Sequence, residues 1–301
     1  MPTKTTNNKI IQVVIGPTAS GKSSRALALA KQNNGVVINC DAMQSYDALH
    51  TLTAQPSIAE QDGIPHHLYG HLHPSKHYSA IDWRCDAIEQ IEVAFGNDQT
   101  PIICGGTGFY LKALMEGFSP MPETPDAVRV EAIALQKEMG NPAFHDMLKS
   151  HDPLTAANLD PMNTQRNVRA WEVLQYTGKP LAEWQAEPPT GAPKGYEFHV
   201  TALFPDREKL IEKINYRLSL MMELGILDEV RALDAMIQND EVSDDALIVK
   251  AHGFRPFRKY LNDEWTLDEA IEQTQTETRQ YAKRQVTWLK NQLTIDSVVT
   301  V

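Results

Sequence analysis

The residue types best suited to chemistry form a glycine-rich loop near the start of the chain. The loop fits the pattern G-x-x-x-x-G-K-[ST] and consists of Gly16, Pro17, Thr18, Ala19, Ser20, Gly21, Lys22 and Ser23. Successive backbone N–H groups of such a loop bind phosphate oxygens, Lys22 adds a positive charge, and the Ser23 hydroxyl can bind Mg²⁺. The pattern predicts a polyphosphate site without specifying the polyphosphate; the alternative is a glycine-rich turn with an exposed lysine.

Two more polar segments follow short apolar runs. Asp41 comes directly after the run at residues 36–40, and Thr107 lies in a glycine-rich segment after the run at 101–104. The Asp41 carboxylate could bind a metal, cap the next helix or accept a proton from a nucleophile, and the sequence leaves all three roles open. The Thr107 hydroxyl could orient a ligand beside the glycines, although the segment could also be a plain turn.

Arg217 lies on the apolar face of a predicted helix. The spacing of Leu210, Ile214 and Met221 places it on their side of that helix. A guanidinium in this position is costly unless it meets an anion. A bound pyrophosphate and an internal carboxylate fit this requirement equally well.

Basic residues gather toward the C-terminus of this acidic chain. Arg279, Lys283 and Arg284 lie on one predicted helix without an acidic residue between them. The basic stretch also includes, upstream, Lys250 and Arg255. Such runs are usually solvated helix faces, and nucleic-acid binding is the alternative. The run at residues 165–169 has the same two interpretations.

The elements that must position these residues have the order of an α/β fold. The apolar runs at residues 9–15, 36–40 and 101–104 predict strands buried on both faces of a parallel sheet. Residues 23–31 predict the helix that follows the first strand. Ligands of open α/β sheets bind at the carboxyl ends of the strands, so we expect the three loops to converge on one site.

Two proline clusters divide the chain. They lie at residues 120–125 and 188–193, and nearly everything between them has a helical pattern. We therefore predict a core of residues 1–117 and 199–301 and an inserted all-helical domain of residues 118–198. The elements predicted after the insertion are a strand at 199–204, a helix at 206–224 and a helix from Thr266 to about Leu293.

Composition limits the classes of protein that fit. The chain has 301 residues, a net charge of −11, 42% hydrophobic residues and 22% charged residues, as in a globular protein with two packed units. The acidic balance argues against a non-specific nucleic-acid binder, because phosphate neutralisation needs clustered lysine and arginine. The first residues are polar and no run of eighteen apolar residues occurs, which predicts a cytoplasmic protein without a membrane anchor.

Cysteines and histidines give weaker signals. Cys40, Cys85 and Cys104 are widely spaced, each in or near an apolar stretch, and we expect them to be buried reduced thiols. Five of the ten histidines lie in residues 66–77, but their spacing fits no common ligand pattern and prolines interrupt the segment. A metal site there is disfavoured.

Several motifs, taken together, resemble the tRNA dimethylallyltransferases, the bacterial tRNA isopentenyltransferase family. They are the glycine-rich loop at 16–23, Asp-Ala-Met-Gln-Ser-Tyr at 41–46, Ile-Pro-His-His-Leu at 64–68, Gly-Gly-Thr-Gly-Phe-Tyr-Leu at 105–111, the segment 166–180 and the segment 278–288. The glycine-rich loop alone is shared by many NTPases, whereas the combination is specific and extends over nearly the whole chain.

The resemblance implies a P-loop NTPase-like fold that binds dimethylallyl diphosphate instead of ATP. The dimethylallyl group is then transferred to N6 of the adenosine just 3′ of the anticodon, position 37, and diphosphate is released. In this interpretation Asp41 is the general base, Thr107 lies beside it, Arg217 meets the diphosphate, and Mg²⁺ at Ser23 is the cofactor. The family also implies a monomer whose inserted domain holds the tRNA anticodon stem-loop.

The tRNA surface that the resemblance implies combines several segments. Its members are Asp41, Ala42, Met43, Gln44, Thr107, Gln165, Arg166, Asn167, Val168, Arg169, Lys250, Gly253, Phe254, Arg255, Arg279, Lys283 and Arg284. Two positions depart from the family pattern. Gln55 stands where the family usually has lysine, and Pro256 follows a Gly-Phe-Arg segment that is usually Gly-Tyr-Arg.

The sequence leaves two other functions open. A P-loop small-molecule kinase would share the strand, loop and helix but would need a nucleotide-base pocket and a phosphoryl acceptor. A nucleotide-controlled RNA-binding switch would bind tRNA without releasing a product.

Overall fold

The structure, a computed structural model, describes residues 9–300. The strands are β1 (Lys9–Ile15), β2 (Gly35–Asn39), β3 (His66–His67), β4 (Thr100–Gly105), β5 (Gly117–Phe118), β6 (Thr190–Gly191), β7 (Tyr196–Leu203) and β8 (Ser297–Val299). The helices of the first half are α1 (Lys22–Gln32), α2 (His50–Thr53), α3 (Ile58–Gln61), α4 (Ala80–Gly96), α5 (Gly108–Glu116), α6 (Asp126–Met139) and α7 (Asn141–His151). Those of the second half are α8 (Pro153–Ala156), α9 (Thr164–Thr177), α10 (Leu181–Ala186), α11 (Arg207–Glu223), α12 (Ile226–Gln238), α13 (Phe254–Leu261) and α14 (Leu267–Gln292).

Six strands form one parallel sheet in the order β3-β2-β4-β1-β7-β8. The three apolar runs of the sequence are its central strands β1, β2 and β4, which confirms the predicted parallel sheet. The strand expected at residues 199–204 is β7, which begins at Tyr196 and ends at Leu203. The short edge strands β3 and β8 were not predicted, because two or three residues carry no detectable alternation.

The central strands are apolar throughout because helices cover both faces of the sheet. On β1, Val13 and Ile15 belong to the large core cluster that also contains Trp83 of α4. The neighbouring Val14 points the other way and clusters with Ala26 of α1. Successive residues of a strand face opposite sides, so a strand covered on both faces loses the polar alternation of an exposed sheet.

The two long helices after the insertion match their predictions closely. α11 begins after Asp206, whose side chain accepts hydrogen bonds from the N–H groups of Glu208 and Lys209. α14 begins after Thr266, which forms a capping box with Glu269, and ends at Gln292. The caps visible in the sequence therefore determine where these helices begin.

The chain divides into two compact units. One comprises the described residues up to Met115 and those from Pro193 onward, and the other is Glu116–Ala192. The sequence placed these boundaries at 117/118 and 198/199. The second unit contains α6 to α10 with apolar clusters of its own, and its strands β5 and β6 form an antiparallel pair.

The cysteines are not all in the predicted environment. Cys40 and Cys104 are buried and free, whereas Cys85 is exposed. Cys85 lies on α4. The buried face of this helix includes Trp83 and Ala87, which are one helical turn apart. The expectation of a buried thiol at Cys85 is therefore wrong, because the position falls off the apolar stripe.

Within residues 9–300, no helix is long and apolar enough to cross a membrane.

Candidate active site

A cleft of about 500 Å³ lies where β1 and β2 end, in the unit built on the parallel sheet. The phosphate-binding loop is defined as residues 16–23, and its residues 18–23 line the cleft together with Asp41 after β2. Arg217 from α11 and Tyr281 from α14 are among the other polar residues of the lining. The structure thus brings together residues that are up to 263 positions apart in the sequence, from Thr18 to Tyr281.

The phosphate-binding loop is folded tightly on itself. The N–H of Ser20 donates to the carbonyl of Pro17 at 3.2 Å, and Lys22 Nζ donates to the same carbonyl at 3.3 Å. A Cβ on Gly16 would lie 2.6 Å from Ser20 Oγ and 2.7 Å from the carbonyl oxygen of Leu203, so this position requires glycine. The loop therefore has a compact, fixed shape.

The start of α1 is open to an anion. Its N-cap, Gly21, has φ of 84° and supplies no side-chain cap, and the first turn carries no acidic residue. The N–H groups at a helix start lack intrahelical acceptors and carry partial positive charge. Together with Lys22, this turn has the donors that a phosphate group needs.

Lys22 and Arg217 concentrate positive charge in the cleft. Burial lowers the pKa of Lys22, while the nearby Asp41 opposes that shift. Burial likewise lowers the pKa of Arg217, and the carboxylates of Glu60 and Asp41 favour its charged form. Across the described part of the chain, neither Lys22 nor Arg217 forms a salt bridge within 4.0 Å. The internal ion pair considered for Arg217 is therefore not formed, and both cations remain available to a bound anion.

Asp41 is held by the buried side chain of Asn39, the last residue of β2. Asn39 Oδ1 accepts the N–H of Asp41 at 2.8 Å, and Asn39 Nδ2 donates to the carbonyls of Asp41 and Leu68, each at 2.9 Å. Asp41 Oδ1 in turn accepts the N–H of Met43, the first residue of the short 3₁₀ turn Met43–Ser45, at 3.1 Å. The carboxylate therefore satisfies one backbone N–H at the start of this turn, whose N-cap position is Ala42, and it also lines the cleft.

Thr107 joins the site through the Asp41 segment. Its hydroxyl accepts the N–H of Ala42 at 3.1 Å, and its N–H donates to the carbonyl of Cys40 at 3.0 Å. The side chain of Tyr281 lies beside that of Thr107, and burial raises the pKa of Tyr281. The loop after β4 therefore holds the loop after β2 in place. Thr107 does more than form a plain turn, because it makes these hydrogen bonds to the Asp41 segment.

Sequence reasoning missed Asn39, although a signal was present. A fully buried asparagine inside an otherwise apolar strand must satisfy its amide through hydrogen bonds. Here those bonds shape the segment that carries Asp41. A lone polar residue in an apolar run, two residues before a candidate catalytic residue, is the feature that could have identified it.

Most of the candidate tRNA-binding residues have exposed or half-buried side chains. Exposed side chains belong to Gln165, Arg166, Lys250, Arg255, Lys283 and Arg284. Half-buried side chains belong to Ala42, Met43, Gln44, Arg169 and Arg279. The exposed cations are free to face a phosphate backbone.

Four of the candidate tRNA-binding residues have structural roles instead. Asn167 and Val168 are buried in their unit, and Asn167 Oδ1 pairs with His145 Nδ1 at 2.9 Å. Phe254 is fully buried, and Gly253 is buried at the start of α13 with φ of 93°. These four residues are buried and therefore not available to a tRNA surface, and this corrects their inclusion in it.

Arg169 is committed to an internal contact. Its Nη1 bonds to Glu172 Oε2 at 3.0 Å and to the Thr124 hydroxyl at 2.9 Å. The Glu172 side chain is only 5% exposed, so the arginine compensates a buried carboxylate. Of the charged pair in the run 165–169, Arg166 is the one left for an external partner.

The two departures from the family pattern are accommodated by the fold. Gln55 Nε2 donates to the carbonyl of Tyr46 at 2.8 Å, and Gln55 Oε1 pairs with His50 Nδ1 at 3.1 Å. Pro256 lies in the first turn of α13, where a backbone N–H has no intrahelical acceptor, so its missing donor costs no helical hydrogen bond. Neither residue is among those that line the cleft.

Comparison with known proteins gives the same family over most of the chain. A model of the family described as IPP transferase matches residues 44–292, and one described as isopentenyl transferase matches residues 9–68. The tRNA dimethylallyltransferase of Paramagnetospirillum magneticum is 46% identical over 281 residues, which are 93% of this chain and 88% of the relative.

Solved structures give the same result. The full-length tRNA isopentenylpyrophosphate transferase from Bacillus halodurans is similar with a TM-score of 0.68 and 32% identity, over 97% of this chain and 90% of that one. A eukaryotic dimethylallyltransferase acting on tRNA has a TM-score of 0.77 and 28% identity, over 93% of this chain and 70% of that one. The P-loop NTPase-like fold expected from the sequence is thereby confirmed. With a family match that covers more than half of its residues, this chain belongs to the IPP transferase family, among the tRNA dimethylallyltransferases.

Proposed function

We propose that the protein transfers the dimethylallyl group of dimethylallyl diphosphate to N6 of adenosine 37 in tRNA and releases diphosphate. The observation that carries this proposal is the pairing, in one cleft, of two unpaired cations with a carboxylate. Lys22 and Arg217 suit a diphosphate, and Asp41 beside them suits the removal of a proton. Relatives of this family are named for tRNA dimethylallyl transfer.

The chemistry matches the residue types. The exocyclic amine of adenine is a poor nucleophile because its lone pair is delocalised, so a base that takes its proton as the C–N bond forms is useful. Asp41 is that base in our proposal. The C–O bond to the diphosphate breaks in the same reaction, and Lys22, Arg217 and the N–H groups of the phosphate-binding loop stabilise the departing negative charge.

The cleft also has an apolar wall. Leu52, Leu218 and Met221 line it beside the polar groups. The five-carbon group of the donor is apolar, and its transfer out of water into such a wall is favourable. We assign these side chains to the dimethylallyl group.

Mg²⁺ fits the same place. Ser23 lies exposed at the start of α1, directly after Lys22, and its hydroxyl is an oxygen ligand of the kind that Mg²⁺ prefers. Diphosphate oxygens and water would supply the remaining ligands. When bound there, Mg²⁺ would add positive charge beside the leaving diphosphate.

The partner we propose is the anticodon stem-loop of tRNA, bound by a monomer in the cytoplasm, where tRNA is used. The exposed cations Arg166, Lys283 and Arg284 support a phosphate-backbone contact. The target adenine must leave the base stack to reach a cleft of this kind.

The direct test is product analysis without added ATP. Unmodified tRNA, dimethylallyl diphosphate and Mg²⁺ are incubated with the protein, and the tRNA is digested to nucleosides for mass analysis. We expect N6-(dimethylallyl)adenosine together with an equal amount of diphosphate. Phosphorylation that requires ATP would point to a kinase, and tRNA binding without a product would point to a nucleotide-controlled RNA-binding switch.

We predict that Arg166→Ala weakens tRNA use without affecting the donor. Arg166 is exposed on α9 and has no hydrogen bond through its side chain within the described residues, so its loss removes charge and no core volume. The apparent KM for tRNA should rise, and the slope of log affinity against log salt should fall in magnitude by about one unit. Lys137→Ala, also exposed in this unit, is the matched control. An effect on the donor KM alone would contradict the assignment.

Arg169→Ala is expected to act on stability instead. It leaves the Glu172 carboxylate buried without its partner, which should cost about 2 kcal/mol of unfolding free energy. Denaturant unfolding measures this loss. Glu172→Gln in the Arg169→Ala background removes the buried charge and should recover part of it. A stable Arg169→Ala variant with weakened tRNA binding would show that the internal contact is not its main role.

A further inference from the structure

Gln285 of α14 is a buried polar side chain that no step of the proposed reaction uses. It is 5% exposed. Its Oε1 accepts the N–H of Thr18 at 2.9 Å, and its Nε2 donates to the carbonyl of Gly106 at 2.9 Å. Thr18 belongs to the phosphate-binding loop after β1, and Gly106 belongs to the loop after β4. A single amide therefore joins the two loops.

The loop after β4 is fitted closely to this contact. A Cβ on Gly106 would lie 2.3 Å from Gln285 Nε2, so a larger residue at 106 would push the amide away. A Cβ on Gly108 would lie 2.2 Å from the ring of Trp288, also on α14. Gly106 in the loop and Gly108 at the start of α5 thus allow α14 to approach the backbone here.

The contact continues to the segment that carries Asp41. Thr107, next to Gly106, accepts the N–H of Ala42 and donates its own N–H to Cys40. Tyr281, one helical turn before Gln285, lies beside the side chains of both Thr107 and Gln285. Hydrogen bonds on the adjacent residues Gly106 and Thr107 therefore connect the phosphate-binding loop, through Gln285, to the Asp41 segment.

We propose that Gln285 is a positioning residue that clamps the phosphate-binding loop to the loop after β4, and so fixes the donor diphosphate relative to Asp41. The inference rests on the proposed function. Thr107 keeps its own bonds to the Asp41 segment when Gln285 is removed, so loss of the clamp frees the phosphate-binding loop. Transfer chemistry depends on the placement of the reacting groups to within about 1 Å, so this freedom slows the reaction.

The first test measures ligand binding and needs no catalysis. Gln285→Met removes both hydrogen bonds at nearly constant volume, and Gln280→Met, at an exposed position of the same helix, is the control. Calorimetry with inorganic pyrophosphate and Mg²⁺ should give a Kd at least about fivefold higher for Gln285→Met and unchanged for Gln280→Met. Gly106→Ala displaces the amide from the other side and should reproduce the weakening, which covers the case that Gln285→Met does not fold. Unchanged pyrophosphate affinity in the folded variants overturns the clamp.

The second test separates positioning from a general structural role. Single-turnover transfer at saturating donor and tRNA should be at least about tenfold slower for Gln285→Met. In the Asp41→Asn background the same substitution should slow transfer by less than about twofold. Without the Asp41 base, alignment of the diphosphate by Gln285 no longer affects proton removal. An equal loss in both backgrounds overturns the positioning role. If the wild-type protein binds pyrophosphate but transfers nothing, the proposed function fails, and the pyrophosphate measurement alone decides about the clamp.

Discussion

Asp41→Asn is expected to lower kcat for dimethylallyl transfer by at least about 10²-fold while tRNA affinity changes little. Asparagine keeps the size of the side chain and one acceptor oxygen, so it can still accept the N–H of Met43 that Asp41 Oδ1 binds at 3.1 Å. The turn should therefore survive. What is lost is the ability to take a proton, and general-base assistance is typically worth ~10²–10⁴ in rate. Single-turnover transfer with saturating donor measures the effect.

A magnesium titration and a second variant make the result specific. If Asp41 mainly holds the metal, higher Mg²⁺ should restore much of the activity of the Asn variant. If it only caps the turn, turnover should be near normal with a stability loss of at most ~1 kcal/mol. Asp47→Asn, an exposed carboxylate six residues away, is the control and should transfer at the wild-type rate. Near-normal or magnesium-rescued transfer by Asp41→Asn removes the residue from the base role.

Short sequence patterns were sufficient to predict the polar loops of the site and the parallel sheet that positions them. The phosphate-binding loop, Asp41 and Thr107 could be predicted because each follows an apolar run, and parallel strands end at one edge. Arg217 could be predicted because a cation on an apolar helix face demands a partner. These are short-range patterns, each complete within about ten residues of the chain.

Contacts between distant segments could not be predicted. Gln285 meets Thr18 across 267 positions, and nothing in the local pattern of either residue indicates the pairing. The bond from Asn39 to the carbonyl of Leu68, 29 residues later, belongs to the same group of contacts, although the presence of a polar residue in the apolar run was a local signal for Asn39 itself. Long-range hydrogen bonds of buried amides depend on how the elements pack.

The run at residues 165–169 shows why not every residue of a family motif can contact tRNA. Consecutive residues of α9 are rotated by about 100° from one another, so one run presents several faces. Arg166 faces solvent, whereas Asn167 and Val168 face the core of their unit and Arg169 meets Glu172. A family motif identifies residues that are adjacent in the sequence. When the motif lies on a helix, only the residues on the exposed face can contact a partner.

Lys22→Ala is expected to lower kcat/KM for the prenyl donor by about 10²–10³-fold, the typical cost of removing one donor that stabilises developing negative charge. The fold should be retained. Burial lowers the pKa of Lys22, which means that its charged form is disfavoured in the free protein and that alanine removes this penalty. The melting temperature should therefore be unchanged or slightly higher. Lys31→Ala, an exposed lysine at the other end of α1, is the matched control and should keep the donor kinetics of the wild type.

The pH dependence of pyrophosphate binding identifies the lysine directly. Only protonated Lys22 attracts the anion, and its pKa in the free protein lies below the ordinary value of 10.5. Affinity should accordingly fall as the pH rises through that lowered pKa, before an ordinary lysine loses its charge. Pyrophosphate also ionises in the alkaline range, and the Lys22→Ala curve measures that contribution separately. Lys22→Ala should lack this alkaline decline, while Arg217, whose guanidinium stays charged throughout, preserves residual binding. Calorimetry across the alkaline range measures both curves, and an identical decline in the variant would show that another group controls the anion.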